Sequence, residues 1–309
     1  VETVPRSKAV HRLAVVNAAA TVLLLIAGGL VTSKGAGLAV PDWPTTFGYN
    51  PFLYPWSLMV GNIFYEHSHR LIASAIGLIT AALGVLIWLN EPRRWMRLLG
   101  AAAVALVVAQ GVVGGLRVVL LEQTLAIVHA CLAQAFFALA VSLAVFTSDS
   151  WSAAPRRESA DAERLQRVAL ITTLLIYGQI VFGAVLRHSG DMLALHLLFA
   201  ALVSLHVILL ALRVLTRHGG ERDLARPAAF LGALLFAQLA FGLGAYVGKF
   251  VVTLPSALTL TLRTGHVVIG ALLLAASLVL TLRSFRLFTR RPASGFAPAV
   301  TRGSEGVSA

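Results

Sequence analysis

The sequence predicts an all-α polytopic membrane protein of eight transmembrane helices, arranged as two pseudo-symmetric four-helix bundles, and three observations carry that prediction. The composition is 58% apolar and only 12% charged, with a mean hydropathy of +0.84. That leaves too little polar surface to cover a soluble globule of this size. Eight apolar runs are each long enough to cross about 30 Å of hydrocarbon. Basic residues, finally, gather in alternate loops.

The runs lie at about 13–32, 71–89, 98–116, 124–147, 168–186, 192–212, 228–247 and 264–282. Lipid cannot satisfy a bare backbone amide, so these continuous runs predict helices rather than alternating barrel strands. The first follows Arg6, Lys8 and Arg12, like the charged region of a signal peptide. Its apolar stretch is too long for one, so an uncleaved first helix is expected. Between the first two runs, at about 33–67, prolines 41, 44, 51 and 55 alternate with Trp43, Phe47, Tyr49, Phe52, Tyr54 and Trp56. Such a segment either lies in the membrane interface or forms a lid over a site. Beyond about 290 the chain is rich in Ser, Gly, Pro and Ala, and disorder is expected.

The net charge of +12 would suit a nucleic-acid partner, but its distribution excludes that reading. Nineteen of the 25 basic residues precede span 1 or follow spans 2, 4, 6 and 8; only Lys34, Arg70, Arg117, Arg187, Lys249 and Arg263 lie on the other side. By the positive-inside rule both termini are cytoplasmic and the lipid bilayer is the partner. The localisation expected is a bacterial-type inner membrane, multi-pass. A single cysteine, Cys131, permits no internal disulfide and reads as a small packing residue.

An internal repeat organises the chain. Small-residue phrases close the odd spans: AGGLVTSKGAG at 27–37, QGVVGGLRVVL at 110–120, QIVFGAVLRHSG at 179–190 and QLAFGLGAYVG at 238–248. After each, near the start of the next even span, comes a histidine: His69, His129, His196 and His266. Three units share a glutamine four residues before a glycine, as Gln110/Gly114, Gln179/Gly183 and Gln238/Gly242. The four helix pairs group into two bundles, 1–150 and 151–309, divided at the basic linker around 148–167.

Each bundle then holds two histidines. A lone intramembrane histidine is more often a packing hydrogen-bonder, but four in register point to ligands. Neutral imidazole suits haem iron, zinc or copper, and no thiolate or carboxylate cluster accompanies these four. Two facing histidines in a four-helix bundle fit one haem, and glycines 28, 29, 114, 115, 183, 242 and 244 either admit a flat ring or serve helix packing. Arg70, Arg117, Arg187 and Arg263 lie close to this layer, as partners for propionates or as interfacial anchors. His11 and His218 sit in basic flanks and are expected to be solvated, His188 to lie at the surface, and His206 to pack alone deeper in its span.

The sharpest local motif is Glu66-His67-Ser68-His69-Arg70. Glu66 and His69 are three apart and share a helix face. No carboxylate accompanies the other three histidines, so the halves are chemically unequal. An acid or base beside a bound ligand suggests that the N-terminal half reacts while the other supplies electrons or structure. The alternative is a Glu66–Arg70 pair at the membrane surface.

With these residues in view, the chain resembles the haem A synthase family. The resemblance rests on GGLVTSKGAGLAVPDWP after span 1, EHSHR at span 2, VHACLAQ in span 4, GAVLRHSG with ALHLLFA in the second half, and RTGHVVIG at span 8. It implies a membrane oxidoreductase that takes the C8 methyl of haem O to a formyl group, giving haem A for cytochrome oxidase. It further implies His69 and His129 on the substrate haem, His196 and His266 on a cofactor haem b, and Glu66 as the catalytic carboxylate. Haem O, the haem O synthase that supplies it and an unidentified electron donor are the implied partners. Some members carry a cysteine pair in the first outer loop; here GLAVPDWPTTFG has none, so no thiol step is available there. Two other readings of the histidines stay open: a di-haem electron-transfer cytochrome, and a haem exporter or chaperone.

Overall fold

A computed structural model describes residues 7–290 of the chain. The expected disordered tail lies outside the described residues. Helix α1 spans Lys8–Ser33, α2 Gly61–Asn90, α3 Arg94–Val119 and α4 Gln123–Thr147. A short α5 (Asp149–Ala153) and strand β1 (Arg157–Ser159) lead to α6 (Ala162–Ser189), α7 (Leu193–Arg217), α8 (Arg222–Phe250) and α9 (Ser256–Leu287), after which β2 (Phe288–Arg290) pairs in parallel with β1. The eight long helices have 25 to 32 residues. At about 1.5 Å per residue, each exceeds the hydrocarbon thickness. The protein is thus an all-α polytopic membrane protein.

Burial runs opposite to that of a soluble protein. Within the most apolar window of each long helix only 17–44% of residues are buried, and side chains such as Leu78, Leu98, Leu198 and Phe236 are exposed. Hydrocarbon is the environment that accepts that surface. Helices α1–α4 pack as a closed ring, each on its sequence neighbour and α1 on α4; α6–α9 do the same, and the rings meet through α1, α4, α6 and α9. Leu25, Phe137 and Ala271 form a cluster at that junction. Inside the rings, hydroxyls tie helices where no water competes: Thr80 donates to Asn17 at 3.0 Å, and Thr173 meets Ser277 at 2.7 Å.

Local sequence sets the ends. Pro92 interrupts the turn between α2 and α3. Gly190, at φ +85°, takes the left-handed cap that closes α6 and leaves only residues 190–192 before α7. Two helices start well before their apolar runs, α2 by ten residues and α9 by eight. Their second and third turns carry EHSHR and RTGH, polar residues that hydropathy skips but a helix accommodates. One flank differs from expectation: His218 is not solvated. Its side chain is 9% exposed and bonds Asp161 at 3.0 Å, because Asp161 also gathers Arg213 and Arg217 at that end. Burial raises the Asp161 carboxyl, but its bonds to Arg213 and His218 outweigh that and hold it below the ordinary carboxylate range.

Candidate functional site

In all four repeat units the structure seats the histidine against the glycine of the preceding membrane span. A Cβ added at Gly28 would stand 3.1 Å from His69 Cε1; at Gly114, 2.8 Å from His129 Cε1; at Gly183, 3.2 Å from His196 Cε1; and at Gly242, 2.8 Å from His266 Cε1. These glycines are therefore seats for imidazole rings. The other three have different neighbours: Gly29 faces Thr264, Gly115 faces Trp43, and Gly244 faces Leu262.

In the C-terminal ring, the His196 and His266 imidazoles face each other with centroids 6.2 Å apart and planes at 69°. His266 Nδ1–H donates to the Gln238 carbonyl at 3.1 Å, which fixes the tautomer and leaves Nε2 as a lone-pair donor. The Gln238 side-chain amide approaches that Nε2 at 3.3 Å, and the Gln179 amide lies 3.2 Å from His196 Nδ1 while donating to the His196 carbonyl at 2.9 Å. Two glutamines of the repeat, Gln179 and Gln238, thus serve the histidines, a role their spacing alone does not disclose. Arg187 is charge-coupled to both His266 and Arg263. It donates to the Arg263 carbonyl at 3.3 Å, the Gly29 carbonyl at 2.9 Å and Ser33 Oγ at 2.7 Å, reaching across to α1.

In the N-terminal ring, His69 and His129 are electrostatic neighbours, and Arg117 acts on both. The buried Nδ1 of His69 has no hydrogen-bond partner among the described residues, whereas His129 lies against the backbone of Gln110. Glu66 is 4% exposed. Its Oε1 accepts from Arg70 at 2.9 Å and its Oε2 from the Val40 amide at 2.9 Å. So the pair with Arg70 exists, but it is buried under the loop. Arg70 also donates to the carbonyls of Val40 (3.0 Å), Asp42 (2.7 Å) and Thr45 (3.0 Å), and Arg117 to that of Gly37 at 2.9 Å.

The loop at 34–60 is therefore clasped from below by α2 and α3. His67, to which the sequence reading gave no role, belongs to this clasp: it is 1% exposed, bonds Thr46 Oγ1 at 3.1 Å and packs on Tyr54. Its place two residues before His69, hence on another helix face, was the available signal. Partial burial raises the Asp42 carboxyl, but the Thr45 hydroxyl and the Gly48 and Phe47 amides prevail and hold it at about 2.

What the pairs can hold follows from their number. No group of three or more His, Cys, Asp or Glu that could hold a metal occurs among the described residues, so a bare zinc ion would lack its usual four ligands. Two imidazoles suffice for iron whose other ligands come from a macrocycle. A metal–imidazole bond of about 2 Å on each side, plus the ring radii, needs about 6 Å between ring centroids, which the C-terminal pair meets. Haem fits the C-terminal pair by this spacing, and both pairs by their glycine seats.

Comparison with known proteins places the chain in a family. Residues 11–197, which include Glu66, His69, His129 and His196, match the family described as cytochrome oxidase assembly protein, COX15-CtaA. The chain is 26% identical over 190 residues to a protein named heme A synthase from Shouchella clausii, covering 60% of this chain and 62% of that one. It is 27% identical over 194 residues to the heme A synthase of Bacillus licheniformis, covering 61% and 62%. The match thus spans less than two thirds of these relatives' length. With more than half of its residues matching the family, the chain belongs to the COX15-CtaA cytochrome oxidase assembly proteins.

Proposed function

We propose that the protein is a haem A synthase, oxidising the C8 methyl of haem O to a formyl group through two successive hydroxylations to a geminal diol that loses water, the four electrons passing to an external oxidant. The observation that carries this reading is an inequality between the halves: among the described residues, the buried Glu66 carboxylate stands three residues before His69 on α2, under the clasped loop, whereas the helices that carry His196 and His266 hold no carboxylate. The two named relatives support it. In this reading the N-terminal half, 1–150, takes haem O, and the C-terminal half, 151–309, keeps haem b on His196 and His266. Haem b, when bound, supplies one-electron redox chemistry.

The protein's own groups do the rest. His69 and His129 orient the substrate, and the loop excludes water from it. Glu66, paired with Arg70, is the base that receives a proton as the methyl group is oxidised. Arg117, Arg187, Arg263 and, beside its loop contacts, Arg70 supply positive charge for the propionates. The arginine-rich ends of the helices and both termini face the cytoplasm, and the histidine pairs lie toward the outer side of a bacterial-type inner membrane.

The test is pigment extraction and mass analysis after supplying haem O and reductant to the purified protein. Haem A is expected from the wild type, and none from Glu66→Gln although that variant still binds haem. Haem bound but never altered in the wild type would favour the di-haem cytochrome; undiminished haem A from Glu66→Gln would remove Glu66 from the chemistry.

A further inference from the structure

The loop at 34–60 between α1 and α2 has no counterpart of similar length between α6 and α7. Arg70 Nη1 holds the carbonyls of Asp42 and Thr45, the residues on either side of Trp43-Pro44. The Asp42 carboxylate closes the same turn through Thr45, Phe47 and Gly48. Trp43 is thereby pressed against α3 at Gly115, where a Cβ would fall inside the indole. Gly115 adjoins Gly114, the seat of His129. Trp43 is 38% exposed, so the protein covers only part of the residue. In the other half α6 and α7 are joined by residues 190–192 alone, too few to bring any side chain over His196 in this way.

We propose that Trp43 is a ligand-contacting residue of the N-terminal site, its indole forming the loop-side wall against which a flat, conjugated ligand of His69 and His129 is held. Two features serve this end. Gly115 lets the indole approach the helix next to the histidine seat, and the Arg70 and Asp42 bonds hold the backbone on both sides of it. An aromatic face is the natural wall for a planar macrocycle, and such a contact changes retention by up to about tenfold. This inference rests on the haem-binding reading above.

The experiment uses the full chain loaded with ferric protoporphyrin and follows its transfer to apomyoglobin. His129→Ala and His266→Ala assign the release phases to the two halves. Trp43→Ala and Gly115→Ala are each expected to speed release from the N-terminal half about tenfold, with the C-terminal phase unchanged, and Trp43→Phe to restore the slow rate. In the Trp43→Ala background, Gly115→Ala is expected to add nothing, because no indole remains to be displaced. Unchanged N-terminal release, additive effects of the two substitutions, or equal acceleration in both halves would each overturn the proposal. A wild type that takes up no protoporphyrin in either half overturns the functional reading, and the proposal with it.

Discussion

A hydrogen atom in place of a methyl group decides whether each imidazole keeps its position. At Gly242 an added Cβ would come within 2.8 Å of His266 Cε1, so the ring would have to turn away from its bond to the Gln238 carbonyl. Gly111 has no atom within 4 Å of such a Cβ. Gly242→Ala is therefore expected to lower the haem content of the C-terminal half on the order of 10–100-fold in affinity, as loss of a ligand's supporting bond does. Gly111→Ala should leave it unchanged, with haem-to-protein ratios on the purified variants as the measure. Equal haem content in Gly242→Ala would mean that the glycine serves helix packing alone. Both readings of the glycines were open in the sequence, because small-xxx-small packing and a ring seat use the same residue. Only the identity of the facing atom separates them.

Among the elements, the long helices were the most legible, since continuous apolar runs have no other stable form in lipid. The loop at 34–60 was the least. Its proline and aromatic content predicted either an interfacial segment or a lid, and the structure has features of both: Phe52, Leu53 and Trp56 are exposed, while Val40, Thr46 and Tyr54 are buried. Four of the bonds that clasp it run from Arg70 or Arg117 to backbone carbonyls, and a carbonyl leaves no trace in sequence. Asp42 gives the clasp a pH dependence. Its folded pKa of about 2 lies below the ordinary 3.8. The stability it contributes is thus complete above about pH 4 and is lost as pH falls through about 2. Hydrogen-exchange protection of the Phe47 and Gly48 amides, corrected for intrinsic rates, should fall over that window. In Asp42→Asn it should be low already at neutral pH. Protection that stays constant down to pH 2 would show that the turn holds without the carboxylate.

For the whole molecule, the question is how far the two rings depend on each other. Each closes on itself through four helix contacts, and they share the α1, α4, α6 and α9 faces. Polar bonds also cross the junction: Arg187 reaches Gly29 and Ser33 on α1, Ser33 meets Thr264 at 3.1 Å, and Tyr177 donates to the Cys131 carbonyl at 3.2 Å. The Gly28-Gly29 step of α1 touches both rings, Gly28 against His69 and Gly29 against Thr264, two residues before His266. The histidine pairs, however, are each contained in one ring, so in the proposed reading neither pair needs the other ring to hold its haem. His69→Ala/His129→Ala is therefore expected to keep a b-type absorption spectrum from the C-terminal half, and His196→Ala/His266→Ala to bind haem O but form no haem A. Arg187→Ala tests the junction differently. It removes the bonds to α1 while leaving all four histidines, so it should lower haem A formation more than haem content. Loss of all haem when either histidine pair is removed would mean that the rings load as one cooperative unit, with α1 as the element that couples them.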